Sequence, residues 1–383
     1  MKTMMKIFDR SDCNCERQIE LDMAKTFCII GMVLVHCYGM LSYNQTGNSG
    51  LVFVLIYILN TIFGAPTFLI CMGIGLVYSR KNTPEKILAR GFRLLAVSLA
   101  FNTVRFGVPY ILSYWVYNEF SFPFLFSCIF YVDVLTFAGL ALILFGLLKK
   151  LKLPNYVFFV IALVMSVIAT FVKVDTGDNW ILNLFVGYFL PVTEDPVTGY
   201  STYFPLFNWF LFVVLGYGFG LILKKVKDKK LFYAVFSGIS TVVMIVYLCI
   251  CIPDRIGLCT EEYTYTIFYK VYDVFIAFFG TVMLFGVYYF ASIILPAFMK
   301  RLFEFFGKGL TAFYVIHWGA VMLVDSLITV FDEKWEIPNP LVGLTIGVSV
   351  FIVSTLILCL VNMIRKRSAE RKMKKLLQVN AES

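Results

Sequence analysis

The sequence consists of long apolar runs separated by short polar segments. Ten of these runs are long enough to cross the ~30 Å hydrocarbon core of a bilayer as a helix. They cover residues 24–43, 51–78, 94–112, 124–148, 156–172, 204–223, 231–252, 267–295, 310–331 and 341–364. The second and eighth runs are longer than one span needs, and Pro66 predicts a break in the second, because proline removes a backbone donor. The pattern predicts an all-α polytopic membrane protein with about ten transmembrane helices.

The overall composition agrees with this prediction. Of 383 residues, 60% are hydrophobic and only 15% are charged, and the mean hydropathy is +0.82, unlike an ordinary soluble domain. The ten cysteines form no CxxC motif and no ligand-rich cluster, so we predict no metal site. The net charge of +9 does not indicate nucleic acid binding, because the basic residues flank apolar runs and form no stripe with stacking aromatics.

The distribution of Lys and Arg predicts the orientation of the chain, since cytoplasmic loops carry an excess of both. One set of run ends holds 28 of the 33 basic residues, whereas the opposite loops are rich in acidic ones. We therefore expect a multi-pass protein of the cell membrane with both termini in the cytoplasm. Residues 1–23 form a cytoplasmic tail, residues 24–364 the transmembrane domain, and residues 365–383 a basic tail near anionic membrane lipid. In the external loop 173–203, the apolar stretch 180–190 is too short to span, and is expected to be re-entrant or to form a lid.

Lys25 and His36 are the most informative pair in the chain. They are eleven positions apart in the first apolar run, which at ~100° per residue places both on one helix face, roughly 16 Å apart along the axis. A fixed charge thus lies near the entrance of the helix, and a titratable imidazole lies deep in it. Ionisable groups inside a membrane are costly and usually functional.

Three scarce polar groups are predicted to share one layer in the middle of the membrane: His36, His317 and Asp133. An imidazole can take and return a proton near neutral pH, as general base catalysis requires. A neighbouring carboxylate would fix its tautomer, and Asp133 is the first candidate for that role. The alternatives are histidines that only join helices by hydrogen bonds, and pairing of Asp133 with Arg105, Lys270 or Asp273.

Basic residues on the cytoplasmic side indicate a binding site for a phosphorylated donor. Arg90 and Arg93, where the basic loop enters the third run, together with Lys25 could bind its phosphates by charge-assisted hydrogen bonds. The alternative is that they anchor the chain as ordinary positive-inside residues. Arg105 lies deeper in the third run and needs a partner or water there.

The first run resembles a motif of membrane acyltransferase family three. In that family a Leu-Asp pair, here Leu21 and Asp22, precedes a basic residue, here Lys25, and a histidine follows after ten positions, here His36. The family usually has arginine at the position of Lys25, although members resembling the fucose acetylases have lysine.

Two later segments extend the resemblance. Residues 68–75 resemble the aromatic, small-residue second helix of the family, and residues 307–318 resemble its late tyrosine-to-histidine helix. The stretch 64–66 is similar to the related heparan-glucosaminide acetyltransferase superfamily, whose first helix usually lacks histidine at the position of His36.

The resemblance implies transfer of an acyl group, commonly acetyl from acetyl-CoA or another acyl-CoA, to a hydroxyl of a cell-surface or lipid-linked carbohydrate. The thioester is expected to enter from the cytoplasm, with its phosphates near Lys25, Arg90 and Arg93. His36 then acts as general base or carries the acyl group, and Arg105 or His317 stabilises the oxyanion. The alternative function is a transporter or exporter of a lipid-linked or glycan intermediate, for which many spans and midplane charges are also expected.

Overall fold

The computed structural model describes residues 7–41, 64–80, 82–108, 110–111, 114, 120–193, 202–259, 271–331 and 340–382. In this part the chain forms helices and only isolated β-bridges. The α-helices are α1 (Ile19–Leu41), α2 (Ala65–Tyr78), α3 (Pro84–Asn102), α4 (Phe122–Ile129), α5 (Val134–Lys150), α6 (Asn155–Phe171), α7 (Trp180–Gly187), α8 (Leu206–Lys224), α9 (Lys229–Cys259), α10 (Val271–Ile294), α11 (Ala297–Phe331) and α12 (Pro340–Glu382). A π-helical turn, Thr103–Gly107, continues α3. The prediction of an all-α protein is confirmed.

Several helices have the length and apolar character of membrane spans. Among the described residues these are six, namely α3 with its π-helical turn, α8, α9, α10, α11 and α12, and the bent pair α4 and α5 adds a seventh if it is one span. Large apolar side chains on their outer faces are exposed, as lipid contact requires; Val242 of α9 is 62% exposed and Leu356 of α12 is 64% exposed. The chain is thus a multi-pass membrane protein, and the number of about ten spans stays a prediction.

The fourth predicted span, residues 124–148, is broken in the structure. α4 and α5 meet at an angle of 59°, and Asp133 is the N-cap of α5, where its side chain accepts hydrogen bonds from two backbone N–H groups. The continuous helix expected there is therefore wrong. In the second predicted span, α2 begins at Ala65 with Pro66 in its first turn, and residues 51–63 lie outside the described residues.

The loop 173–203, which is predicted to be external, contains the short helix α7. Its Trp180 packs edge-on against Phe126 and Phe122 of α4, with ring centroids 5.8 and 6.4 Å apart. Val174 and Val192 pair on either side of it as an isolated bridge. The apolar stretch of this loop therefore lies against α4.

α1 occupies a central position, because it packs against α2, α10, α11 and α12. α1 and α11 run parallel: Gly307 is next to Asp22 near their starts, and His317 is next to His36 further along. This parallel packing brings the first and ninth predicted spans together at the layer of the histidines.

α2 and α8 approach each other closely through glycines. A Cβ on Gly73 would be 2.0 Å from the Val213 carbonyl oxygen, and one on Gly216 would be 2.1 Å from the Ile70 carbonyl oxygen. Small residues let helix backbones come together in membranes, where dispersion forces drive association. A side chain at either position would separate the two helices.

The first prediction concerns this contact. Gly73→Ala is expected to destabilise the protein by about 1–3 kcal/mol, the usual cost of overpacking, because the new methyl group meets backbone that cannot turn aside. Gly75→Ala in the same helix is the matched control, since its Cβ would have no neighbour within 4 Å. Thermal unfolding of the detergent-purified variants measures the difference. Equal melting temperatures would show that α2 and α8 are not in close contact.

The N-terminal segment 7–18 lies across one end of the bundle. The N–H of Asp9 donates to the carbonyl oxygen of Lys225 after α8 (2.8 Å), and Arg17 pairs with Glu304 of α11 (3.7 Å). We call this end, where the segment 7–18 meets the end of α8 and the start of α11, the basic end. Several of the basic segments assigned to the cytoplasm from the sequence therefore lie together.

The second prediction tests the orientation. In a variant without reactive native cysteines, a membrane-impermeant thiol reagent added to intact cells should label a cysteine at Asp178 in the external loop and should not label one at Lys227 at the basic end. The reason is that basic residues stay in the cytoplasm during insertion. Cells opened with detergent give the control, in which both positions react. Labelling of the cysteine at Lys227 in intact cells would show that the protein has the opposite orientation in the membrane.

Candidate active site

Two histidines meet in the interior of the bundle. Nδ1 of His36 on α1 is 3.0 Å from Nε2 of His317 on α11, and the rings lie nearly parallel at 11°, with centroids 5.3 Å apart. His317 is fully buried and His36 is half-buried. Both histidines of the chain therefore belong to a single site.

The hydrogen-bond partner of His317 shows which histidine donates in this pair. The backbone carbonyl of Phe313, 3.1 Å from Nδ1 of His317, can only accept, so Nδ1 of His317 carries the proton. Nε2 of neutral His317 is then an acceptor, and Nδ1 of His36 donates to it. In neutral His36 the lone pair is left on Nε2, which makes no hydrogen bond within the described residues. This atom is the one that can take a proton or attack a carbonyl.

Arg105 and Trp318 extend the site beside the histidines. The Trp318 ring centroid is 4.0 Å from that of His36, and the guanidinium carbon of Arg105 is 3.7 Å from the centre of the Trp318 ring. Phe106 lies 4.1 Å from the same carbon. Aromatic faces stabilise a cation that has left water, which explains how an arginine on the π-helical turn is held at this depth.

Asp133 contacts neither imidazole. Its Oδ1 accepts four hydrogen bonds of 2.8–3.0 Å, three from the first turn of α5 and one from the Ser98 hydroxyl. Its Oδ2 is 3.4 Å from the Tyr314 hydroxyl, and the Tyr314 ring packs edge-on against His317. Among the described residues Asp133 is thus joined to the pair by hydrogen bonding through Tyr314 and also attracts Arg105 electrostatically, and the Phe313 carbonyl takes the position expected of a tautomer-fixing carboxylate.

Lys25 lies between the basic end and the histidines on α1, and is half-buried. The carboxylate nearest in sequence, Asp22, is instead held by Arg17, whose Nε and Nη2 donate to it at 2.6 and 3.0 Å. Lys25 itself has no hydrogen bond or ion pair to any described residue. Its ammonium group is therefore available to an anion from outside the chain.

Arg90 and Arg93 lie on α3, which packs mainly against α5. Arg90 is half-buried and Arg93 is exposed, and the structure joins neither to Lys25 by a hydrogen bond or ion pair. Their part in donor binding stays a prediction.

Comparison with protein families decides what kind of protein carries this site. A family model described as an acyltransferase domain, of the acyltransferase-3 type, matches residues 18–359, which is nearly the whole chain. The chain belongs to the acyltransferase-3 family. It is a membrane acyltransferase, as the motifs at His36 and His317 predict. No curated protein and no solved structure matches the chain.

Sequence reasoning missed two residues of this candidate site. Trp318 follows His317 directly and packs on His36, and Tyr314 links Asp133 to His317. The sequence did contain a signal for these two residues, because both are close to His317 in the late helix motif. At helical spacing positions 314 and 318 lie on one face.

Proposed function

We propose that this acyltransferase moves an acyl group, in the simplest case acetyl, from acetyl-CoA or another acyl-CoA to a hydroxyl of a cell-surface or lipid-linked carbohydrate. The donor reaches the site from the cytoplasm, and the acceptor reaches it from the external side. The observation that carries the proposal is the histidine pair, because it leaves Nε2 of His36 in the interior of the bundle as a base with no hydrogen bond to any described residue.

His36 performs the proton transfer of the reaction. As the acceptor oxygen attacks the thioester carbon, Nε2 of His36 takes the hydroxyl proton, and a carbon–oxygen bond forms. The carbon–sulfur bond then breaks, and the same nitrogen returns the proton to the coenzyme A sulfur. The products are the acyl ester and the free thiol.

His317 orients His36. Its Nε2 accepts from Nδ1 of His36 and thereby fixes the tautomer that leaves the other nitrogen free. The Phe313 carbonyl fixes His317 in turn. The same arrangement also suits a second route, in which Nε2 of His36 attacks the thioester and carries the acyl group before the acceptor arrives.

Lys25 is proposed to bind the donor phosphates. It has no protein partner among the described residues, lies toward the basic end, and is on the same helix as His36. Arg90 and Arg93 are proposed to supply further charges. At ~1.5 Å rise per residue the eleven positions between Lys25 and His36 correspond to roughly 16 Å, a separation that an extended pantetheine arm can bridge.

The third prediction follows from this role. Lys25→Gln is expected to weaken coenzyme A binding roughly tenfold or more, because a charge-assisted hydrogen bond contributes about 1.5–3 kcal/mol, whereas Lys25→Arg is tolerated better. Arg90→Gln is expected to act in the same direction. Lys150→Gln, which removes an exposed cation elsewhere on the chain, is the control. Isothermal titration of detergent-purified protein with coenzyme A measures each affinity. Unchanged affinity in Lys25→Gln and Arg90→Gln would leave both residues as membrane anchors.

The same titration tests the proposed function. The parent protein should bind coenzyme A, and with labelled acetyl-CoA it should form an acylated carbohydrate in membranes that contain the acceptor. A transporter of lipid-linked or glycan intermediates needs no coenzyme A site. Protein that stays folded in detergent but neither binds coenzyme A nor consumes acetyl-CoA would contradict the proposal and favour that alternative.

A further inference from the structure

Two residues beside the histidine pair carry buried hydrogen-bond donors that have no acceptor among the described residues. Trp318 is 7% exposed, and its Nε1 is buried without a hydrogen-bond partner; the same is true of Nε and Nη1 of Arg105. By contrast, the buried Trp209 donates through Nε1 to the Tyr203 carbonyl oxygen at 2.9 Å. Buried donors without acceptors are destabilising, and few native structures leave them so without a functional reason.

The position of these donors relates them to the reacting atoms. The Trp318 ring lies within 4.0 Å of both the His36 ring and the Arg105 guanidinium, measured from the centre of the indole. A thioester carbon attacked by an oxygen that is hydrogen-bonded to Nε2 of His36 would lie beside this cluster. Both donors therefore belong to the same group of contacting side chains as the nitrogen that takes the proton.

The Tyr314 hydroxyl is the competing acceptor. It lies near enough to Arg105 and Trp318 for a weak side-chain hydrogen bond with each, but the geometry is not that of a well-formed hydrogen bond, and Nε1 of Trp318 and Nε and Nη1 of Arg105 stay unsatisfied among the described residues. Its own hydrogen bond goes to Asp133. The indole N–H is thus close to Tyr314 without being satisfied by it.

We propose that the indole N–H of Trp318 and the Arg105 guanidinium form the oxyanion hole of acyl transfer, which makes Trp318 a catalytic residue. The inference rests on the proposed function. When the acceptor oxygen bonds to the thioester carbon, the carbonyl electrons move onto oxygen, and both donors bond to this oxyanion while His36 holds the proton. As the carbon–sulfur bond breaks, the carbonyl forms again, and the coenzyme A sulfur takes the proton. Donors already in place stabilise such charge without reorganisation.

Trp318→Phe is the direct test, because it keeps an aromatic ring and removes only the indole N–H and part of the ring area. The rate of acetyl transfer, kcat, is expected to fall roughly 10²–10³-fold, the usual effect of losing one oxyanion donor. The KM for acetyl-CoA and the affinity for coenzyme A should stay within about threefold, since the oxyanion exists only in the transition state. Trp209→Phe is the matched control, because it makes the same replacement at a buried tryptophan whose N–H already donates to a carbonyl oxygen.

A second comparison separates a direct role from one through Tyr314. If Trp318 bonds to the oxyanion, Trp318→Phe should lower kcat by the same factor in the parent and in a Tyr314→Phe background. If the indole N–H only holds Tyr314, the substitution should have no further effect in that background, and the oxyanion assignment is overturned. If Trp318→Phe does not fold, β-(3-benzothienyl)alanine at this position keeps the indole shape and replaces N–H by sulfur.

Two outcomes distinguish this inference from the proposed function. A kcat for Trp318→Phe within about threefold of the parent, together with loss of transfer in His36→Ala, would overturn the oxyanion hole and leave the acyltransferase mechanism intact. Absence of acetyl transfer in the parent itself would contradict the proposed function, whatever the variants do.

Discussion

Replacement of His36 by alanine is expected to abolish acyl transfer, with kcat reduced by at least ~10²–10⁴-fold, the usual contribution of a positioned proton-transfer group. The reason is that Nε2 of His36 is the nitrogen of the pair that makes no hydrogen bond to a described residue and can take the hydroxyl proton of the acceptor. Transfer of labelled acetyl from acetyl-CoA by detergent-purified protein measures the effect.

The control for this prediction is Cys37→Ala, which alters a fully buried neighbour on α1 and leaves the histidines in place. Expression, membrane insertion and melting temperature of His36→Ala should remain near those of the parent. Turnover of His36→Ala within a few-fold of the parent would remove His36 from the mechanism.

Substitution of His317 is expected to have the second largest effect. His317→Leu leaves Nδ1–H of His36 without an acceptor and releases the imidazole to adopt the other tautomer. Loss of the tautomer-fixing group in a Ser-His-Asp triad lowers kcat ~10⁴-fold, so we expect a loss of the same order or somewhat less. His317→Gln should retain more activity than His317→Leu, because its side-chain oxygen can accept from Nδ1 of His36.

The comparison of these two variants distinguishes orientation from packing. Leucine fills the space of a buried ring at least as well as glutamine does, so a purely structural role of His317 predicts that His317→Leu is the more stable and the more active variant. The kcat and the melting temperature, measured on the same preparations, show which ranking holds.

The sequence predicted the central helix pair well because its signal is local. The spacing of Lys25 and His36 needs only a continuous helix, and α1 is continuous from Ile19 to Leu41. His317 was placed in the same layer by counting helical rise from the end of its run. The small number of histidines also helped. The chain has only two, both lie inside apolar runs, and buried ionisable groups tend to lie close to one another.

Other parts of the site depend on contacts between distant segments. Asp133 has the hydropathy signal of a charged residue inside a span, but it caps α5 at a break that the apolar pattern does not reveal. The π-helical turn at Arg105 inserts one residue into a helix, and Arg105 on this turn contacts Trp318, more than two hundred positions away. Hydrophobic period and composition carry no information on such pairings.

We propose that the protein transfers an acyl group from coenzyme A to a surface carbohydrate and that His36 is essential for this transfer, and mass spectrometry of surface glycans tests both points most directly. Cells that lack the protein, cells that express the parent and cells that express His36→Ala would be grown with isotopically labelled acetate. We expect carbohydrate that carries the labelled acetyl mass only in cells with the parent, and its loss with His36→Ala although that variant is inserted normally. Equal acetylation of the glycans in all three strains, or full acetylation with His36→Ala, would contradict it.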